Sequence, residues 1–112
     1  MREFDTGATR DTDTNKLDYE GFLSPLVLER YAQYLNKHRV QADGKLRDSD
    51  NWQKGIPIKV YMKSKWRHFM DTWLWYRVKP VGANIEESLC AVIFNAQGYL
   101  FELLKERHYM EK

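Results

Sequence analysis

The chain has 112 residues, 43% hydrophobic and 30% charged, with a formal net charge of +2. That length supports one domain with one modest core. No run of eighteen apolar residues offers a membrane span, and one cysteine, Cys90, rules out an internal disulfide and a cysteine-rich metal cluster. A charge this small gives no argument for nucleic-acid binding. The N-terminal ten residues contain no apolar signal segment, so a reduced, cytoplasmic setting is expected.

Residues 1–22 are dominated by Thr, Asp, Asn and Gly, with apolar residues set singly. The segment reads either as a disordered arm or as an ordered one pinned by Phe4, Leu17, Tyr19 and Phe22. An ordered arm would present Gly7, Arg10 and Lys16 to an anion, since exposed amides beside a glycine and two cations suit phosphate.

Ser24-Pro25 starts the first long helix. Serine is a good N-cap, and proline suits the first helical position, where its missing N–H has no partner to lose. Val27, Tyr31, Tyr34, Leu35 and His38 follow at helical spacing, and the helix is expected to end near Arg39. Glu29 lies off that apolar stripe. Residues 41–57 lack a clear period, and so long a loop in a small domain is expected to be functional. Trp52 within it needs something to pack or stack on.

The second helix is expected from Ile58 to Val78. Two rows can be drawn on it. Met62, Trp66, Phe69, Trp73 and Tyr76 recur at steps of four and three and read as the core face. Ser64, His68, Asp71 and Trp75 make another row, whose imidazole, carboxylate and indole suit a site better than a core. After a turn over 79–83, Asn84 and Glu87 form a capping-box pattern that opens the third helix. Its core stripe reads Leu89, Val92, Ile93, Ala96, Leu100, Leu103 and Leu104. A second row, Glu87, Ala91, Asn95, Gly98 and Glu102, sets two carboxylates and an amide among small residues. Asparagine is a poor helix former and costly to bury unsatisfied, so Asn95 needs a specific partner. Residues 105–112 read as a charged, fraying tail.

The expected architecture is therefore all-α: a single-domain bundle of three main helices of about 16, 21 and 22 residues, with a structured arm over 1–22 and a long loop. Aromatic helices with two non-polar faces in so small a chain point to a homo-oligomer.

No phosphate-binding loop, dinucleotide fingerprint, zinc-finger spacing or nucleophile elbow is present. What remains is carboxylates and amides on helices with cations nearby. Glu29, Glu87, Asn95 and Glu102 offer the hard oxygen ligands Mg²⁺ prefers, and Trp52 or Trp75 could stack on a base.

Several stretches together resemble a known family. They are R-E-F-D-T-G-A-T-R-D, K-L-D, P-L-V-L-E-R-Y-A, D-N-W-Q-K-G-I-P, R-H-F-M-D-T-W-L-W and E-E-S-L-C-A-V-I-F-N-A. In this order they are similar to the bacteriophage dATP/dGTP diphosphohydrolase N-terminal domains, distantly related to MazG-like all-α nucleotide pyrophosphohydrolases. The resemblance implies a Mg²⁺-dependent hydrolase in an infected bacterial cell, cleaving a purine dNTP to a monophosphate and pyrophosphate. It implies catalytic roles for His68 and Glu87. Arg10, Lys16, Asn51, Trp52 and Lys54 would bind substrate, and Glu29, Glu87 and Asn95 would hold the metal; on their own chemistry, as a cation and a stacking indole, Arg67 and Trp75 join the substrate-binding set. Asp5 and Gly7 also fall on the motif. Two departures stand out. Cys90 sits where MazG-like helices carry aspartate, and Glu29 alone stands for the acidic pair of the first helix. The alternative is a non-catalytic protein that sequesters a nucleotide, linear or cyclic.

Overall fold

A computed structural model describes residues 1–110. It is mostly helical. An N-terminal hairpin pairs β1 (Arg2–Glu3) with β2 (Thr9–Arg10) antiparallel, Arg2 opposite Arg10. Four helices follow: α1 (Tyr19–Phe22), α2 (Pro25–Lys37), α3 (Ile58–Val78) and α4 (Ile85–Met110). A 3₁₀ turn over Asn51–Lys54 precedes α3.

The helix starts follow from local chemistry. Ser24 Oγ accepts the Val27 N–H at 3.2 Å, with Pro25 at the first position. Asn84 Oδ1 accepts the Glu87 N–H at 3.2 Å. The reciprocal half of that capping box is not made, because the Glu87 carboxylate turns to α2 instead. α2 stops at Lys37, short of Arg39, and the His38 ring packs on Tyr34 with centroids 4.4 Å apart. α4 does not fray after Leu104. It continues to Met110, supported by Lys105, which pairs with Glu102 at 3.1 Å and lies over the Phe101 ring. Glu111 and Lys112 of the expected tail lie outside the described residues.

α3 and α4 form a long antiparallel hairpin, and α2 joins α4 through a smaller contact. Which faces meet differs from the periodicity. Met62, Trp66, Phe69, Trp73 and Tyr76 are exposed, Trp66 by 59% and Trp73 by 50%. The inward row of α3 is Tyr61, Ser64, His68, Thr72 and Trp75. On α4, Leu89, Ile93, Leu100, Leu103 and Leu104 are exposed, and the inward row runs through Ala91, Asn95 and Gly98. Size explains the exchange. Small residues on α4 let the Tyr61 ring lie on the helix backbone, a close approach that a leucine stripe would prevent.

Tyr61 is the centre of this core, 1% exposed, with Phe94 edge-on at 6.1 Å. Trp52 packs edge-on to Phe101 at 4.9 Å. The Tyr61 hydroxyl is buried without a hydrogen-bond partner among the described residues. Removing an unpaired buried hydroxyl removes a desolvation cost and loses no bond. Tyr61→Phe is therefore expected to melt at or above the wild-type temperature by circular dichroism. A large drop would mean the hydroxyl has a partner.

The arm is ordered locally but is not pinned. Gly7, at φ +87°, closes the hairpin, and the Phe4 N–H reaches the Ala8 carbonyl at 2.9 Å. Phe4, Leu17, Tyr19 and Phe22 are all exposed, and the two strands pack only on each other. The chain is correspondingly extended, with a radius of gyration of 19.4 Å and dimensions of 58 × 40 × 29 Å. A compact domain of this length has a radius of about 13 Å.

Candidate functional site

The cleft between the long loop, α2 and the α3–α4 hairpin has a volume of about 480 Å³. Such a volume suits a small organic ligand. Its walls come from four places. The end of α2 supplies Tyr34 and Leu35, and the turn after it supplies His38 and Arg39. The loop supplies Arg47, Asp48, Ser49, Asn51, Trp52 and Ile56. α3 supplies Ser64 and His68, and α4 supplies Phe94 and Asn95.

The loop is a folded arm, not a slack connection. Val40 bridges Leu46 across a turn closed by Gly44 at φ +82°, and the Arg47 N–H meets the Arg39 carbonyl at 2.8 Å. This register sets Arg39 beside Arg47. Arg39 Nε donates to the Arg47 carbonyl at 2.8 Å, and Arg47 Nη1 donates to the His38 carbonyl at 3.0 Å. Each guanidinium keeps further N–H donors for a ligand, because arginine carries five. The base of the loop is tied to α4, where Glu102 Oε1 accepts the Ile56 N–H at 3.3 Å.

Asn95 lies on the cleft wall at 6% exposure. Its Nδ2 donates to the Ala91 carbonyl at 2.8 Å, and among the described residues nothing donates to its Oδ1. A ligand N–H or O–H can complete it. His68 Nδ1 lies 3.7 Å from the Asp71 carboxylate. Burial raises the Tyr34 phenol above its ordinary range, so it stays protonated and can donate. Charge in the cleft is mainly cationic, with Asp48 the single carboxylate among its lining residues.

Of the residues singled out from the sequence as site candidates, the structure brings Asn51, Trp52, Ser64, His68 and Asn95 together. It leaves the others elsewhere. Arg10 and Lys16 lie exposed on the arm, and Asp5 and Gly7 lie on the same hairpin. Lys54 ends the 3₁₀ turn and Arg67 lies exposed on α3. Trp75 packs inward near the end of α3, with Lys79 Nζ 5.6 Å from its ring centroid. Tyr34, His38, Arg39, Arg47 and Asp48 were not anticipated. The usable signal was Asp43-Gly44 between Val40 and Leu46, a hairpin pattern that sets Arg39 opposite Arg47.

The three expected Mg²⁺ ligands do not make a cage. Glu87 pairs with Lys37 and with Arg30, the latter at 3.3 Å. Glu29 is exposed on α2, and Asn95 lies eight positions beyond Glu87, about 12 Å along the helix. Among the described residues no three of His, Cys, Asp and Glu gather closely enough to hold a metal. Mg²⁺ is commonly held by one or two carboxylates together with waters and substrate phosphates, and of the three expected ligands only Asn95 lines the cleft. Cys90 is buried, and burial raises its thiol above the ordinary value, so it is a poor nucleophile.

Glu87 ties α2 to α4. The Lys37 ammonium and then the Arg30 guanidinium hold its carboxyl below the ordinary value of 4.5. Arg30 also reaches Glu86 at 2.7 Å. A group whose pKa is depressed by folding contributes stability above its unfolded pKa and loses it as pH falls through the folded one. Stability measured by urea melts is expected to fall as pH drops below about 4.5, and Glu87→Gln should flatten that fall. An unchanged pH slope in the variant would show that Glu87 does not carry it.

Compared with protein-family models, curated proteins and solved structures, the chain gave no match. No described helix is long and apolar enough to cross a membrane.

Proposed function

We propose that the protein is a nucleotide-binding protein that holds a purine nucleotide intact in the cleft. One observation carries this reading. Arg39 and Arg47 are set side by side by the loop, facing a wall that supplies His68 and the buried Asn95. Paired guanidinia are suited to phosphate, because their donor geometry matches phosphate oxygens. Tyr34 and Trp52 supply aromatic surface for a base, and Oδ1 of Asn95 can accept from the base or the sugar.

Hydrolysis to a monophosphate and pyrophosphate, which the family resemblance implies, would need a bound metal and a base; Glu87 is paired with Lys37 and Arg30 instead, and of the two expected catalytic residues only His68 lies in the cleft. Binding without turnover needs neither. In an infected bacterial cell such a protein would withdraw a nucleotide from use, whether a purine dNTP or a signalling nucleotide.

The test is to incubate the pure protein with linear and cyclic nucleotides, with and without Mg²⁺, and to read bound mass and products. An intact purine nucleotide retained in EDTA supports the reading. Pyrophosphate release that needs Mg²⁺ would replace it with the hydrolase. Retention of nothing would sink both.

A further inference from the structure

We infer that Glu102 is a positioning residue of the cleft: from α4 its carboxylate sets the apolar wall that receives the base, and it leaves the arginine half of the site alone. This role rests on the reading of the cleft as a nucleotide site. The loop from Arg39 to Ile56 is held at its two ends by different means. At the first end, Val40 bridges Leu46, and the Gln41 N–H reaches the Lys45 carbonyl at 2.8 Å. These bonds, with the pairing of Arg39 and Arg47, lie within residues 39–47, so that end keeps its own register.

The second end depends on α4. The 3₁₀ turn over Asn51–Lys54 is followed by Gly55 at φ +124°, a conformation that residues with side chains rarely adopt. The chain then meets α4 at Ile56, whose N–H donates to Glu102 Oε1 at 3.3 Å. Glu102 is itself held in place, because Lys105 Nζ lies 3.1 Å from its Oε2. That ammonium, with the Ile56 amide, keeps the carboxyl below its ordinary value, so it is an ionised acceptor at neutral pH.

Two cleft residues ride on this anchor. Ile56 is bonded to it directly. Trp52 packs edge-on to Phe101, the neighbour of Glu102, and to Phe94 with centroids 6.3 Å apart. Phe94 also lines the cleft, so Trp52, Ile56 and Phe94 make one apolar wall against α4. Phosphate donors therefore come from one end of the loop and base surface from the other, each anchored separately. Without the carboxylate, the Ile56 N–H loses a charge-assisted bond, the stronger kind, and the wall is free to part from α4.

The test compares a purine nucleoside monophosphate with ribose 5-phosphate, which carries the same phosphate and no base, by calorimetric titration in EDTA. Glu102→Ala is expected to weaken the nucleotide about tenfold and ribose 5-phosphate by no more than about twofold. Glu102→Gln keeps an acceptor for the Ile56 N–H and is expected to restore most of the nucleotide affinity. In the ligand-free protein, the Ile56 amide of Glu102→Ala should exchange with solvent faster than in wild type, while the Arg47 amide exchanges as before. A Glu102→Ala variant that binds both ligands as wild type does, or loses both alike, overturns the inference and leaves the nucleotide reading standing. An Ile56 amide that keeps its wild-type exchange rate overturns it too, whatever the ligands do. A wild type that binds no nucleotide overturns both.

Discussion

Gly98→Ala is expected to cost the protein about 2 kcal/mol of stability, although it replaces a poor helix former with the best one. The two effects have opposite signs, and their sizes decide. Helix propensity favours alanine by about 1 kcal/mol. Against it, a Cβ on residue 98 would lie 2.2 Å from Cζ and 2.3 Å from Cε1 of Tyr61. No side chain tolerates that approach. The ring is fully buried and cannot swing aside without parting α3 from α4. Overpacking of this kind typically costs 1–3 kcal/mol, and more where the ring has no room to yield. The clash wins, and Tm is expected to drop by roughly 10 °C. A double-mutant cycle isolates the cause. In a Tyr61→Leu background the same glycine substitution should cost far less, because the ring it strikes is gone. A Gly98→Ala variant melting at or above wild type would show that Tyr61 does not sit where the structure puts it.

Arg47→Glu is expected to weaken nucleotide binding about 100-fold. It removes charge-assisted hydrogen bonds, worth about 1.5–3 kcal/mol together with their charge, and sets a carboxylate opposite the phosphate. The substitution also removes the Arg47 bond to the His38 carbonyl, so the loop must be checked. Arg47→Lys keeps the charge without the fork and should bind with intermediate affinity. Arg67→Glu is the matched control, a charge reversal on exposed α3 outside the cleft lining, expected to change affinity by no more than about two-fold once screened by salt. Calorimetric titration in EDTA reads all three. Equal losses for the Arg47 and Arg67 variants would mean that general positive charge, not the cleft, attracts the ligand.

The starts of the three long helices were legible because each is marked by a specific residue, whereas the ends of α2 and α4 were not. Ser24-Pro25, Pro57 and Asn84 stop or start the chain by fixed backbone rules, and α3 falls where those markers put it. The inward faces were not legible. Periodicity reports which residues avoid water, not what covers them, and the most apolar rows of α3 and α4 lie outside their shared interface. The close approach of Tyr61 to Gly98, with Phe94 beside the ring, is selected by size, a weaker signal than hydropathy.

The candidate site was half legible. Trp52, His68 and Asn95 stood out because each is a residue type that its local setting does not explain, and Asn51 came from the family resemblance. The arginines did not, because their pairing depends on a loop register fixed by backbone bonds eight residues apart. The ion pairs of Glu87 were hidden for a related reason. Its partners Lys37 and Arg30 lie on another helix, and sequence spacing gives no hint of them.

The most direct test of the nucleotide-binding reading is a backbone amide NMR titration with a purine nucleotide in EDTA. Saturable shifts are expected to centre on residues 34–39, 47–56, 64, 68 and 94–95, with the arm and the exposed row of α3 unmoved. Saturable shifts centred on Arg10 and Lys16, or none at millimolar ligand, would contradict it.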